Sequence, residues 1–562
     1  MNQAINDSSV HCIVAVQMSN TGNRTDVEWG LLMSLRWLSR LKKKHKKNKE
    51  RIREIGFAEK NEPLELDLQL TLNRIKQELG NSPDVVVRTF DIGIEPQIRV
   101  AAVYLDGLTN KDKVNDFVAR ALLLEPEKDA GKPIEPQSMF DVILSRAVTV
   151  GDVKVKNDWN GMLYHILSGE IAVFVHGCPG AIVGNIRGGE WRSVSEPKTE
   201  VNIRGPKDSF NESLATNVSL IRRRLKSPKL WLESMRIGNV SETEVAIMYL
   251  KEIAEDSLVE EVKRRLKDIR IDAVLESGNI EELVQDETLT PFPTVFNTER
   301  PDVVAGNLLE GRVAVFVDGT PNTLILPTTF SQFFKAAEDY YQRFDFTVFM
   351  RWIRYFSFFL LLVLPSIYIA VTTHHHEMIP TTLAINLLAQ REGVPFPAFI
   401  EALIMEITFE IMREAGTRMP RAIGQAVSIV GAIVLGQAAV EAGIVTAMMV
   451  IIVALTGIAS FATPGITLSN SARLIRFPLM IAASTFGFYG VIMGMILMVA
   501  HMCGLRSFGV PYMSPFAPFG LRHQQDAIWR APYKTLATRA RLSGAVEGPS
   551  RPIWGGEEER ET

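Results

Sequence analysis

Four runs of this chain carry no charged residue and reach the length of a membrane-crossing helix: Tyr355–Thr372, Ile423–Val440, Ile444–Thr463 and Phe477–Ala500. Such runs need apolar surroundings along their whole length, so an integral membrane protein in contact with membrane lipids is expected. Residues 1–350, by contrast, are rich in Lys, Arg, Asp and Glu. The net charge of −3, from 61 basic and 64 acidic residues, averages these two unlike halves and excludes little by itself. With no platform of interleaved basic and aromatic residues, nucleic acid is not an expected partner.

Within the apolar half, Arg351 and Arg354 precede the first run, and Arg473 and Arg476 precede the fourth. At those points long cationic side chains are expected to reach lipid headgroups. Pro365 interrupts the first run and is a hinge candidate. Gly490 and Gly494 in the last run allow close helix approach. A further segment, 381–421, fits neither class: it is a re-entrant or fifth membrane segment, or an interfacial helix. Gly393, Pro395 and Pro397 break it into two amphipathic pieces and are further hinge candidates.

The second piece carries Glu401, Glu406, Glu410, Arg413, Glu414 and Arg418. Glu406, Glu410, Arg413 and Glu414 share one helical face by their i, i+4, i+7, i+8 spacing, with Ile404, Ile407 and Ile411 largely opposite. Glu410 with Arg413, and Glu414 with Arg418, are within reach along the helix. Two readings stand side by side. In one the helix lies on the membrane surface with its charges in water. In the other the carboxylates line a wet path through the bilayer. Gln437 and Glu441, near the end of the second run, are secondary polar candidates.

The charged half contains a duplication. "GEIAVFVHG" (169–177) recurs as "GRVAVFVDG" (311–319), identical at six of nine positions, and "VAAVYL" (100–105) is matched by "VAIMYL" (245–250). The offsets of 142 and 145 residues describe one tandem repeat. Each copy reads as a buried strand, a helix and a further strand ending in Gly. The expected organisation is an α/β soluble region of two duplicated subdomains followed by an α-helical transmembrane bundle. In residues, 1–59 form a basic amphipathic or linker extension, 60–200 and 201–345 the two copies, and 346–505 the membrane domain. Residues 506–562 form a tail, disordered from about 536. Arg222, Arg223 and Arg224, between the copies, read as a solvated face.

Chemistry is not legible in this sequence. The three cysteines, Cys12, Cys178 and Cys503, lie far apart and make no CxxC or Cys/His ligand spacing. "THHHE" (373–377) presents adjacent rather than i, i+4 histidines, which suits an interface better than a metal. "GNIRGG" (184–189) lacks the spacing of a phosphate or dinucleotide loop. No metal, cofactor or enzymatic activity is expected.

Several stretches together resemble a known family. "LPSIYIAVTTHHHEMIPTTL", "QREGVPFPAFIEALIMEITFEIMREAGTRMPRAIGQAVSIVGAIVLGQAAVEAGIV", "SFGVPYMSPFAP" and "EPKTEVNIRGPKDSFNESLATNVSLIRRRL" are similar to the A subunit of bacterial spore germinant receptors, the GerA family. The resemblance covers about residues 60–535. It implies an integral protein of the spore inner membrane with its soluble domain on the cytoplasmic (core) side. It also implies a transporter-like B subunit that binds the nutrient, a lipoprotein C subunit, and assembly of A subunits into a ligand-gated ion channel. On that picture Glu401, Glu406, Glu410 and Glu414 become pore or gate candidates, with Arg413 and Arg418 as ion-pair partners. A paralogue that amplifies germination beside the dipicolinate-release machinery, and a secondary solute transporter, are the alternatives.

Overall fold

The computed structural model describes residues 62–92, 97–117, 136–146, 152–188, 197, 200, 202–418, 436–519 and 521–532. The N-terminal extension, residues 423–435 of the second apolar run and the tail beyond 532 lie outside these.

Two five-stranded antiparallel sheets occupy the chain up to residue 326. In the first copy, α1 (Leu68–Glu78) precedes β1 (Val85–Ile92) and β2 (Ile98–Leu105). Then come α2 (Lys111–Phe117), α3 (Pro136–Arg146), β3 (Val153–Lys156), α4 (Trp159–Leu167), β4 (Ile171–Val175) and β5 (Ala181–Gly184). After α5 (Leu214–Arg224), the second copy contains β6 (Leu230–Ile237), β7 (Thr243–Leu250), α6 (Asp256–Asp268) and α7 (Ser277–Val284). It closes with β8 (Phe296–Thr298), α8 (Pro301–Leu309), β9 (Val313–Val317) and β10 (Thr323–Leu326).

The strand orders, β1-β2-β4-β5-β3 and β6-β7-β9-β10-β8, are the same arrangement twice. The repeated stretches turn out to be partners. β2 pairs with β4 (Val100 opposite Val175), and β7 pairs with β9 (Val245 opposite Val317). These are the sheet centres, buried along nearly their whole length, which explains why they show as unbroken apolar runs. Each ends in a glycine with left-handed backbone, Gly177 (φ 86°) and Gly319 (φ 89°), a conformation a side chain would strain.

The copies are bolted together by residues expected to be solvated. Arg222 is 1% exposed and donates from Nε and Nη2 to Asp84 at 2.8 and 3.0 Å. Its Nη1 also donates to the Leu230 carbonyl at 2.6 Å. The Trp231 ring sits on Gly80, where a Cβ would lie 2.2 Å from it. The i+2 residue, Arg224, pairs with Asp208. A carboxylate on the other copy replaces water around Arg222, and sequence alone does not reveal that pairing.

The helical half contains α9 (Phe344–Thr373), α10 (Thr381–Glu392), α11 (Ala398–Arg418), α12 (Ala447–Ala462) and α13 (Ile466–Gly504). Of the described helices, α9 and α13 are long and apolar enough to cross a membrane. α13 is not one rod. At Gly487 (φ 60°, ψ −142°) the chain reverses. A Cβ on Gly494 would lie 2.5 Å from Leu479, and one on Gly490 2.2 Å from the Ala482 carbonyl. Residues 15 apart on a straight helix are about 22 Å apart, so 466–486 and 488–504 are antiparallel arms. The last apolar run, expected to be a single span, is therefore a helical hairpin. Gly490 and Gly494 do provide close approach, but between its own two arms.

Both arms begin or end against the second sheet copy. The Gly465 amide donates to the Phe333 carbonyl at 3.2 Å. After the returning arm, Ser507 donates to the Thr294 carbonyl at 2.7 Å and accepts from the Thr328 amide at 2.9 Å. Phe330, Phe333 and Phe334 merge the cores of sheet and helices, with Phe334 stacked on Tyr355 at 4.2 Å between centroids.

Candidate functional site

α11 starts directly after Pro397, whose carbonyl accepts from the Glu401 amide at 3.1 Å. It packs against α12 and the outgoing arm of α13. The approach to α12 is close because position 457 is glycine: a Cβ there would lie 2.4 Å from the Phe409 ring. This packing turns Glu401, Glu406 and Glu410 toward neighbouring helices.

Glu406 and Arg476 are both essentially inaccessible, with Oε2 2.7 Å from Nη2. That ion contact lacks hydrogen-bond geometry, so neither Glu406 oxygen has a hydrogen-bond partner among the described residues. Arg476 Nε has none there either. Arg476 Nη2 also donates to Glu410 Oε1 at 3.2 Å, and Arg473 Nε donates to the same oxygen at 2.8 Å. One turn and more toward the other end of α11, the fully buried Glu401 accepts through Oε1 from the amide and hydroxyl of Thr446, each at 2.5 Å. Thr446 is the N-cap of α12, so this carboxylate sits at the positive end of a helix. Tyr368 approaches the Thr446 hydroxyl at 3.3 Å. Glu401 Oε2 is buried with no partner among the described residues.

These positions change several expectations. Glu401 and Glu406 point inward, whereas Ile407 and Ile411 are 45% and 64% exposed, so these two carboxylates are not the water-facing side of an interfacial helix. Arg413 is not the partner of Glu410. It donates to Ser460 Oγ at 3.0 Å and lies over the Phe461 ring. The partners of Glu410 are Arg473 and Arg476, expected at the headgroups; they lie on another helix, and local spacing cannot report a contact across more than 60 residues of chain. Glu414 and Arg418 do pair, at 2.6 Å, but on the exposed end of the helix. Gln437 donates to Glu441 at 2.9 Å, also exposed. Pro365 is buried within an unbroken α9, and Gly393–Pro397 separate α10 from α11.

A second buried charge cluster, absent from the sequence reading, lies where the second sheet copy meets α9. Arg351 and Arg354, likewise expected at headgroups, point inward. Asp339 accepts from Arg351 Nε at 2.9 Å and from Arg354 Nη1 at 2.8 Å. Asp526, from the C-terminal segment, accepts from Arg351 Nη2 at 2.9 Å and from Lys335 and Tyr340 at 2.7 Å each. Burial pushes the Asp526 carboxyl up, but Lys335 and Arg351 outweigh it and hold the group down at about 2. Arg530 adds a donor to the Asp339 carbonyl at 2.6 Å. The histidine run sits at the hairpin turn: His374 Nε2 lies 2.9 Å from the Ser484 carbonyl, and the His375 ring packs near Phe488.

Comparison with known proteins places this arrangement. Residues 73–542 match the model of the Bacillus/Clostridium GerA spore germination protein. The chain is 49% identical over 477 residues to spore germination protein KA of Bacillus subtilis, covering 84% of this chain and 87% of that one. It is 43% identical to the membrane protein YfkQ of the same organism, covering 85% of this chain and 91% of that one. Among solved structures it is 40% identical to the N-terminal domain of the A subunit of the Bacillus megaterium spore germinant receptor GerK3. That match covers 48% of this chain and 99% of that domain, with a TM-score of 0.39. The chain belongs to the GerA family of spore germination proteins.

Proposed function

We propose that this chain is the A subunit of a nutrient germinant receptor in the inner membrane of the bacterial spore, with its sheet copies on the core side. It acts with a transporter-like B subunit that binds the nutrient and with a lipoprotein C subunit. Several A subunits assemble into an ion channel whose opening commits the spore to germinate. Nutrient binding elsewhere in the complex shifts the helices by favouring one of two arrangements.

The observation that carries the channel reading is the incompletely satisfied charge inside the helical half. Ionisable groups at such depth pair with one another or face a water path. Among the described residues neither oxygen of Glu406 has a hydrogen-bond partner, and one oxygen of Glu401 lacks one, which keeps acceptors available for water or a cation. Glu401, Glu406, Glu410 and Glu414 are the pore or gate set, with Arg473 and Arg476 as the counter-ions that separate on opening. Gln437 and Glu441 are secondary polar positions, and Pro365, Gly393, Pro395 and Pro397 are the hinges. The test replaces Glu406 and Glu410 with Gln and measures cation flux while assembly is verified. Altered flux or selectivity is expected; unchanged flux and selectivity sink the pore assignment.

A further inference from the structure

α9 is inside out over its first four turns. Its inward face carries Thr347, Arg351, Arg354 and Ser357, all buried, with both arginines in the Asp339–Asp526 cluster. Its outward face carries Phe346 (50% exposed), Phe349, Trp352 and Phe356 (each 61%) and Phe359 (44%). These lie at i, i+3, i+6, i+10 and i+13, a single stripe along the helix. A helix against water places its aromatics inward and its arginines outward, so this polarity is that of a helix in lipid whose polar partners are in the protein.

We infer that the bilayer covers α9 from about Phe346 onward, not from Tyr355 where the uncharged run begins, with Trp352 at the headgroup boundary. This rests on reading the long helices as membrane-spanning. The occupant of the aromatic stripe is lipid rather than a protein, because the stripe continues onto the apolar part of the same helix. Length agrees. The 30 residues of α9 extend about 45 Å, which matches a bilayer including its headgroup layers rather than the hydrocarbon alone. Trp352 is of the residue type that, with tyrosine, forms the belt found where helices leave a membrane. Trp529, 39% exposed in the C-terminal segment that grips α9, extends the belt. The Asp339–Asp526 cluster consequently lies at the membrane boundary, and the sheet half sits directly on the lipid surface.

The test uses the full chain in phosphatidylcholine vesicles with nitroxide quenchers on the headgroup, high on the acyl chain or deep in it. The Trp352 signal is the difference between the chain and its W352F variant, a conservative change on an exposed face. That signal is expected to be quenched about twofold more strongly by the two shallow nitroxides than by the deep one. A Trp352 signal reached only by a water-soluble quencher overturns the inference, and so does one reached by no quencher, which means protein covers the stripe. Ile481→Trp, on the exposed face of the hairpin, separates the two readings. If that reporter is quenched by deep nitroxide while Trp352 is reached by no lipid-borne quencher, the boundary is wrong but the span stands. If neither responds to any lipid-borne quencher, the membrane reading itself falls.

Discussion

The two buried charge clusters use the same chemistry and treat it oppositely. At the junction of sheet and helix, every carboxylate oxygen of Asp339 and Asp526 faces a donor from Arg351, Arg354, Lys335 or Tyr340. Between α11 and α13, Glu406 has an ion contact but no hydrogen bond, and Arg476 Nε is unpartnered among the described residues. Buried carboxylates whose oxygens all have donors hold one geometry, because any movement strands a charge. A partly satisfied pair has less to lose when its helices move. The first cluster therefore anchors the helical half to the second sheet copy, and on the proposed channel reading the second is where the helices separate.

The largest expected effect comes from breaking the anchor. Asp339→Ala leaves Arg351 and Arg354 buried without their shared carboxylate and is expected to destabilise the chain by about 3–5 kcal/mol. Thermal unfolding in detergent, followed by size-exclusion recovery, measures it; a variant as stable as the parent contradicts the anchoring role. Next is Arg222→Ala, which removes the bolt between the copies and strands Asp84, at a cost of about 2 kcal/mol. Hydrogen exchange should rise in β1 and β6 on either side of that junction and not in the helical half.

Much of the anchor's context was legible in the chain, but its pairing was not. The duplicated stretches were visible because they are the buried central strands, where neither face meets water and the apolar run is continuous. The flanking strands are less legible: β1 and β6 mix buried, partly buried and exposed positions and lack the repeat's identity. The acidic face of α11 is legible in its helical spacing, but which way that face turns is not. Spacing reports which residues share a face, whereas Arg473 and Arg476 decide which way that face turns. The hairpin at Gly487 was hidden for a related reason. A glycine inside an apolar run reads as a packing residue until the chain is seen to reverse there.

A pH dependence sharpens the contrast within the sheet half. Burial pushes Glu200 up to about 7, against the hydrogen bond from Thr298 and with the added effect of the Glu299 charge. Because the folded value is raised, the stability this group contributes is present below its ordinary value near 4.5 and is lost as pH rises through about 7. Melting temperature should fall over that interval, and Glu200→Gln should flatten the fall; an unchanged slope in the variant excludes this residue as the cause. The smallest effect is expected at the exposed Glu414–Arg418 pair, where Glu414→Gln should change stability by no more than about 0.5 kcal/mol.

On the proposed channel reading, the pair of Glu406 and Arg476 governs ion passage, while the Asp339–Asp526 cluster holds the structure. The most direct measurement is cation flux through the assembled complex in vesicles for Glu406→Gln, with assembly and melting temperature recorded on the same samples. A change in flux or cation selectivity is expected, with assembly intact and a stability loss of about 1–2 kcal/mol at most. Unaltered flux in a fully assembled complex, or a loss of flux that merely tracks a loss of folded protein, contradicts that reading.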